Sequence, residues 1–304
     1  MIDMEFHFSP RILRTGVERM ASRRLFTMAT DVAAGRVPAN RATPSAYCRD
    51  LTSKIDLRER VLFRDDVINQ LIEFLEKRKE NSPVLVGEAG VGKTAIVEEL
   101  ARRIISGSLK VNDSLGRTRF DENTHILSLD LGGLQSLRNR PDVLDTEIKG
   151  IIEFIENEAA AGHKIILWID EIHLLPGDFS RLDQYLKEPV GKGIVQIIGA
   201  TTNNEYRRSF EKDSALHRRF PDVFVRPLSE SETLHLLDGV SSFYETVHGV
   251  RLQSNALLKR IVTLASRYLP DRVLPGSAIT VLDHSLASVS KRQEMLAMTM
   301  AESW

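Results

Sequence analysis

Apolar residues recur at helical spacing in some stretches of the chain and bunch into short unbroken runs in others, and the two patterns alternate. Val67, Leu71, Ile72 and Leu75 share one face and predict a helix over 66–80. Pro83 precedes the run Val84-Leu85-Val86, which reads as a buried strand. Ile96, Val97, Leu100, Ile104 and Ile105 then mark a helical face that stops near Gly107. A polar stretch over 110–124 leads to a strand at 126–131. Leu144, Ile148, Ile151, Ile152 and Ile155 predict a helix over 143–160, and strands follow at 165–169, 194–199 and 223–225. Strands separated by helices imply a parallel sheet covered on both faces, which explains why each strand is apolar throughout.

Past Pro227 the strand pattern ends. Ser229 and Glu232 have the spacing of a capping box ahead of Leu234, Leu236 and Leu237, and helical stretches follow over 254–268 and 276–298. The predicted organisation is a basic N-terminal arm over 1–49 with helical stretches, an α/β domain over 50–227 and a small helical domain over 228–304. The arm carries eight arginines against four acids and ends in Val37-Pro38-Ala39-Asn40 and Ala42-Thr43-Pro44-Ser45. Its charge suits either an arm accompanying the main domain or a partner-docking element.

The chemistry is concentrated between the first two elements of the α/β pattern. Gly87-Glu88-Ala89-Gly90-Val91-Gly92-Lys93-Thr94 fits G-x-x-x-x-G-K-[ST], set between an apolar strand and a helix. Glycines let such a loop turn its amides inward around a polyphosphate, and the following helix N-terminus adds a favourable dipole. Lys93 supplies a charge for the β- and γ-phosphates and Thr94 a hydroxyl for Mg²⁺. Further on, Ile165-Ile166-Leu167-Trp168-Ile169 ends in Asp170-Glu171. Asp170 is placed to hold the Mg²⁺ shell and Glu171 to deprotonate the attacking water. The next strand ends in Gly199-Ala200-Thr201-Thr202-Asn203, and Thr202 or Asn203 is a candidate contact for the γ-phosphate or its water. Arg218 and Arg219 precede Phe220-Pro221 on the rim of the module. Inserted into a neighbouring copy, their guanidinium groups would offset transition-state charge, which requires an oligomer.

Composition narrows the setting. Of 304 residues, 27% are charged and 42% hydrophobic, and the net charge of −1 gives no global attraction for a polyanion. Cys48 is the only cysteine, which rules out an internal disulfide and suits a reducing compartment. No apolar run reaches membrane-span length, and Met-Ile-Asp-Met-Glu-Phe-His lacks the basic and apolar regions of a secretory signal. A cytoplasmic location is expected.

Taken together, these residues resemble the AAA+ ATPases, and within them the first ATPase domain of the Clp/ClpB-type unfoldases and disaggregases. The matching text runs from Asn81 through the glycine loop to Ala101. It resumes in Trp168-Ile169-Asp170-Glu171-Ile172-His173, in Gly199-Ala200-Thr201-Thr202 with Glu205-Tyr206-Arg207, and in Glu211 through Leu216 with Arg218-Arg219-Phe220. The resemblance covers roughly 50–290. It implies a P-loop NTPase fold with a five-stranded parallel sheet between helices, a helical lid, ATP and Mg²⁺ as ligands and a hexameric ring. Carried over, Lys93 and Thr94 belong to Walker A, Asp170 and Glu171 to Walker B, Thr202 is sensor 1, and Arg218 and Arg219 are trans arginine fingers. Val61 and Leu62 fall in the adenine-contacting segment.

The departures bear on function. Within these residues there is no second ATPase module, coiled-coil middle domain or full-size family N-terminal domain. Arg140 stands where the family's first pore loop has a tyrosine, and 176–192 is short for the second pore loop. Leu274-Pro275-Gly276-Ser277-Ala278-Ile279-Thr280 is neutral where the family's lid often has Asp, Lys and Asp. An arginine lacks the apolar ring that holds arbitrary side chains. The leading reading is an ATP-driven ring that remodels or disassembles a protein partner. The alternative is a non-threading assembly factor or scaffold for a dedicated secretion or nucleoprotein machine. Nucleic-acid binding through Arg138, Arg140 and the arm ranks third.

Overall fold

The computed structural model describes residues 46–53, 63–109, 120–121, 123–177, 179–210 and 220–302, with side chains as far as 295. The candidates Val61, Leu62, Arg218 and Arg219, and nearly all of the basic arm, lie outside the described residues.

Strands β1 (Cys48–Asp50), β2 (Val84–Val86), β3 (Thr124–Leu129), β4 (Lys164–Ile169), β5 (Val195–Thr201) and β6 (Asp222–Phe224) form one sheet in the order β1-β3-β4-β5-β2-β6. The last five in that order run parallel, as the sequence pattern implies. The sixth, β1, pairs antiparallel with β3, Cys48 opposite Leu129 and Asp50 opposite Leu127. The expected five-stranded parallel sheet is thus present, and β1, which holds Cys48 and Arg49, adds a sixth, antiparallel strand at its edge. Three residues are too short to show a period, so β1 left no readable pattern.

Side chains of β4 explain the apolar run. Ile165, Leu167 and Ile169 enter one core cluster, while Ile166 and Trp168 enter another on the opposite face. The first is closed by α4 (Pro141–Ala160) through Ile148, Ile151 and Ile155, and by α5 (Ser180–Gly191) through Leu182 and Leu186. The second is closed by α1 (Asp65–Glu76) through Val67, Ile68, Leu71 and Leu75, and by α2 (Lys93–Ile105) through Ile96, Val97, Leu100 and Ile104. A short α3 (Leu131–Gln135) follows β3, capped by Asp130, whose carboxylate accepts from the Gly133 amide at 2.8 Å. It takes Leu131 out of the predicted strand. Between β5 and β6 lies α6 (Asn203–Ser209).

Beyond β6 the chain is helical: α7 (Glu230–His248), α8 (Asn255–Tyr268) and α9 (Gly276–Glu302). The predicted capping box is present, with Ser229 and Glu232 exchanging hydrogen bonds at the start of α7. Leu237, Leu258, Ile261, Val262, Ala278, Leu282 and Leu286 form a third, separate core. Gly249 ends α7 at φ 67°, the left-handed conformation glycine tolerates. Cys48 is buried, and desolvation together with Asp50 pushes its thiol up to about 12.

Candidate functional site

The site is built at the carboxyl edge of the parallel strands. β5 lies between β4 and β2, so the Thr201-Thr202 tip stands between the acidic tip of β4 and the glycine loop after β2. Val86 pairs with Thr201 and Ile169 with Gly199, which sets their relative heights. Ligand sites in open parallel sheets sit at this edge.

The loop geometry demands its glycines. Gly90 and Gly92 have φ of 88° and 94°, where a side chain is strained. Gly87 is needed for space instead: a Cβ there would lie 2.6 Å from the Val225 carbonyl oxygen. Gly92 caps α2, so the loop feeds directly into a helix N-terminus. Lys93 Nζ donates to the carbonyl oxygens of Gly87 at 2.7 Å and Glu88 at 3.1 Å. Burial lowers the Lys93 pKa, partly offset by the negative charges of Asp170, Glu205 and Glu88. Thr94, one residue on, is exposed.

Asp170 and Glu171 are both exposed at the β4 tip. Glu171 takes φ 55°, ψ 41°, a left-handed conformation uncommon for a residue with a side chain, and its amide donates to Asp170 Oδ1 at 3.0 Å. A short 3₁₀ turn, Ile172–Leu174, follows at once. Gly199 in the adjacent strand makes room for it, since a Cβ there would meet Ile172 at 2.5 Å.

Thr202 is the N-cap of α6 in a full capping box with Glu205. Its hydroxyl donates to Glu205 Oε2 at 2.8 Å. A hydroxyl has one proton, so contact with a phosphate oxygen as donor requires that bond to be exchanged. Asn203, the other candidate phosphate contact, instead donates from Nδ2 to Glu88 Oε1 at 3.0 Å. Here Asn203 meets the loop that would hold the phosphate.

Several residues join the site that the sequence pattern did not single out. Glu205 Oε2 also accepts from the Thr202 amide at 3.1 Å and Thr201 Oγ1 at 3.2 Å, with His173 Nδ1 at 3.4 Å. Burial pushes Glu205 up, but the bonds from Thr202, the charge of His173 and the bond from Thr201 outweigh it and hold its carboxyl below the usual range. Its spacing from Thr202, T-x-x-E, was the signal available in the sequence. Arg64, just before α1, buries its guanidinium between two carbonyls, donating to Val91 at 2.6 Å and Arg226 at 2.9 Å. No local pattern marks a buried arginine before a helix. From the lid, the Gly276 amide donates to the Gly90 carbonyl at 3.1 Å. Arg140 is the N-cap residue of α4, makes no side-chain capping bond and is exposed.

A family model described as the ATPase family associated with various cellular activities (AAA) matches residues 83–228. A second, for an AAA lid domain, matches 229–303. The chain belongs to the AAA family of ATPases. Membership makes it a nucleotide-binding protein. This AAA ATPase is 38% identical over 250 residues to chaperone protein ClpB 1 of Synechocystis sp., covering 79% of this chain and 26% of that one. It is 40% identical over 251 residues to ClpB of Rhodopseudomonas palustris, covering 79% and 27%. Among solved structures it is similar to a closed-state cryo-EM reconstruction of Hsp104 with ATPγS and FITC-casein, at 36% identity and a TM-score of 0.71 over 84% of this chain and 43% of that one. The chain thus spans about a quarter of the curated relatives and under half of the Hsp104 chain. Among the described residues no helix is long and apolar enough to cross a membrane.

Proposed function

We propose that this AAA ATPase binds Mg²⁺–ATP in the glycine loop and hydrolyses it within a homo-oligomeric ring of Clp type that remodels or disassembles a protein partner. The observation that carries the reading is the shared edge of β2, β5 and β4, which gathers Lys93, Thr202 and the Asp170-Glu171 tip. The loop fits a polyphosphate: its glycines hold conformations or approaches a side chain would forbid, and Lys93 rests on carbonyls that phosphate oxygens would replace. Backbone amides of 87–92 and Lys93 bind the phosphates, and Glu171 takes the proton of the attacking water. Among the described residues no cluster of three or more His, Cys, Asp or Glu makes a metal site. Thr94 and Asp170 would hold Mg²⁺ beside the phosphates, and the ion would supply positive charge against the developing negative charge. Val61 and Leu62 serve the adenine, and Arg218 and Arg219 reach the site of the adjoining copy.

A polypeptide as partner is supported by the Hsp104 structures, two of which contain casein. The exposed Arg140 is the residue offered to it. The single buried thiol suits a reducing, cytoplasmic setting. The deciding experiment measures ATP hydrolysis by the purified chain with Mg²⁺, then captures partners with Glu171→Gln held in ATP. Wild-type subunits mixed with an Arg218→Ala, Arg219→Ala variant should lose more turnover than dilution explains. A chain with no affinity for Mg²⁺–ATP would sink the proposal.

A further inference from the structure

One short segment touches all three tips of the site: the first turn of α6 with its cap, residues 202–205. Asn203 reaches the glycine loop, donating to Glu88 Oε1 across 115 residues of sequence. Glu205 holds the β5 tip through Thr201 Oγ1, the Thr202 amide and the Thr202 hydroxyl. It also holds the element after the acidic tip through His173, whose Nδ1 lies 3.4 Å from the carboxylate and 3.1 Å from Thr201 Oγ1. Thr201 Oγ1 donates to Glu205 at 3.2 Å, and His173 Nδ1 is within hydrogen-bonding reach of Thr201 Oγ1.

We propose that Asn203 and Glu205 are positioning residues that fix the glycine loop, the Glu171 turn and Thr202 relative to one another, so that turnover depends on bonds no reacting atom makes. The inference rests on the ATPase reading above. A capping box alone explains the Thr202–Glu205 pair, yet it explains neither His173 nor Thr201 nor the bond from Asn203 to Glu88. The Glu171 backbone is left-handed, and such a conformation persists only where its surroundings over-determine it. Anchoring His173, two residues on, supplies that constraint. The Glu88 carbonyl accepts from Lys93 and, at 3.4 Å, from the Val91 amide, and its carboxylate accepts from Asn203. When Lys93 leaves for phosphate, Asn203 is the tie that still joins Glu88 to the β5 tip. Glu205, in turn, holds the Thr202 proton until a phosphate oxygen competes for it.

The test uses the full chain and reads kcat for ATP, Kd for ATPγS and thermal melting. Asn203→Asp faces the Glu88 carboxylate and should cut kcat about tenfold, as misplacement of a reacting group does, with little change in Kd. Glu88→Gln in the same chain exchanges donor and acceptor, the introduced amide donating to the introduced carboxylate, and should restore most of the rate. Glu205→Gln retains acceptors for the cap but loses the charge facing His173; it should lower kcat with the melting temperature preserved. Asn203→Asp turning over like wild type, or a double variant no faster than Asn203→Asp, overturns the inference. So does a loss of rate that merely follows a loss of melting temperature. A wild-type chain that hydrolyses ATP while the variants turn over at its rate overturns this inference alone, whereas one without nucleotide turnover overturns the ATPase reading as well.

Discussion

Lys93 is folded back onto its own loop, its ammonium 2.7 Å from the carbonyl oxygen of Gly87. The charge is already partly desolvated and has only to exchange carbonyl acceptors for phosphate ones. Bonds to charged groups contribute about 1.5–3 kcal/mol each. Lys93→Ala should therefore weaken ATPγS binding roughly a hundredfold or more. Titration calorimetry checks this, and affinity within a few fold of wild type would remove Lys93 from the phosphate site.

Glu171 stands at the β4 tip with Asp170 fixing its amide rather than its carboxylate. Glu171→Gln keeps the shape and removes the base. Turnover should fall by about two to four orders of magnitude, the usual scale for a general base, while nucleotide affinity holds. Single-turnover hydrolysis separates the two effects.

Gly276 opens the lid helix α9 against the glycine loop, and a Cβ there would lie 2.8 Å from the Gly90 carbonyl oxygen and 2.9 Å from its Cα. Gly276→Ala forces the lid and loop apart. Overpacking of this kind costs roughly 1–3 kcal/mol. The variant should melt earlier than wild type and bind ATPγS more weakly, both measurable without hydrolysis. Unchanged melting and affinity would show the contact to be dispensable.

Asp50, on the edge strand, takes bonds from the Thr52 amide at 2.8 Å and from the Thr52 hydroxyl, with His125 Nδ1 3.4 Å away. Burial pushes its carboxyl up, but His125 and Thr52 outweigh that and place it below the ordinary 3.8. A carboxyl depressed by folding contributes stability that is present above its unfolded pKa and lost as pH falls through its folded one. Asp50→Asn should lower the melting temperature at neutral pH, and the difference from wild type should shrink below about pH 4. A gap that stays constant from pH 7 to 3 would mean the carboxylate charge is not what holds β1.

Elements with a strong period were readable from the chain. The helix carrying Ile148, Ile151 and Ile155 and the strand from Ile165 to Ile169 each bury a repeating set of positions, and burial is what the pattern encodes. The glycine loop was readable because close backbone approach admits few residues. What escaped was tertiary or too short. β1 has three residues, and Asn203 finds Glu88 only because β5 is inserted beside β2. Arg64 bonds to Val91 and Arg226 across a distance in sequence that no local window spans. The position of Asn203 at the tip of β5 is legible in the sequence, whereas its bond to Glu88 is not.

The burial of Cys48 has a practical outcome. Thiolate is the form that alkylates, and a thiol raised to about 12 and shut inside the sheet supplies almost none at neutral pH. Maleimide dyes or spin labels would pass over the native thiol and report only on cysteines introduced by design. Distances between the lid and the α/β domain are therefore accessible to fluorescence or electron-spin measurements without first removing the natural cysteine.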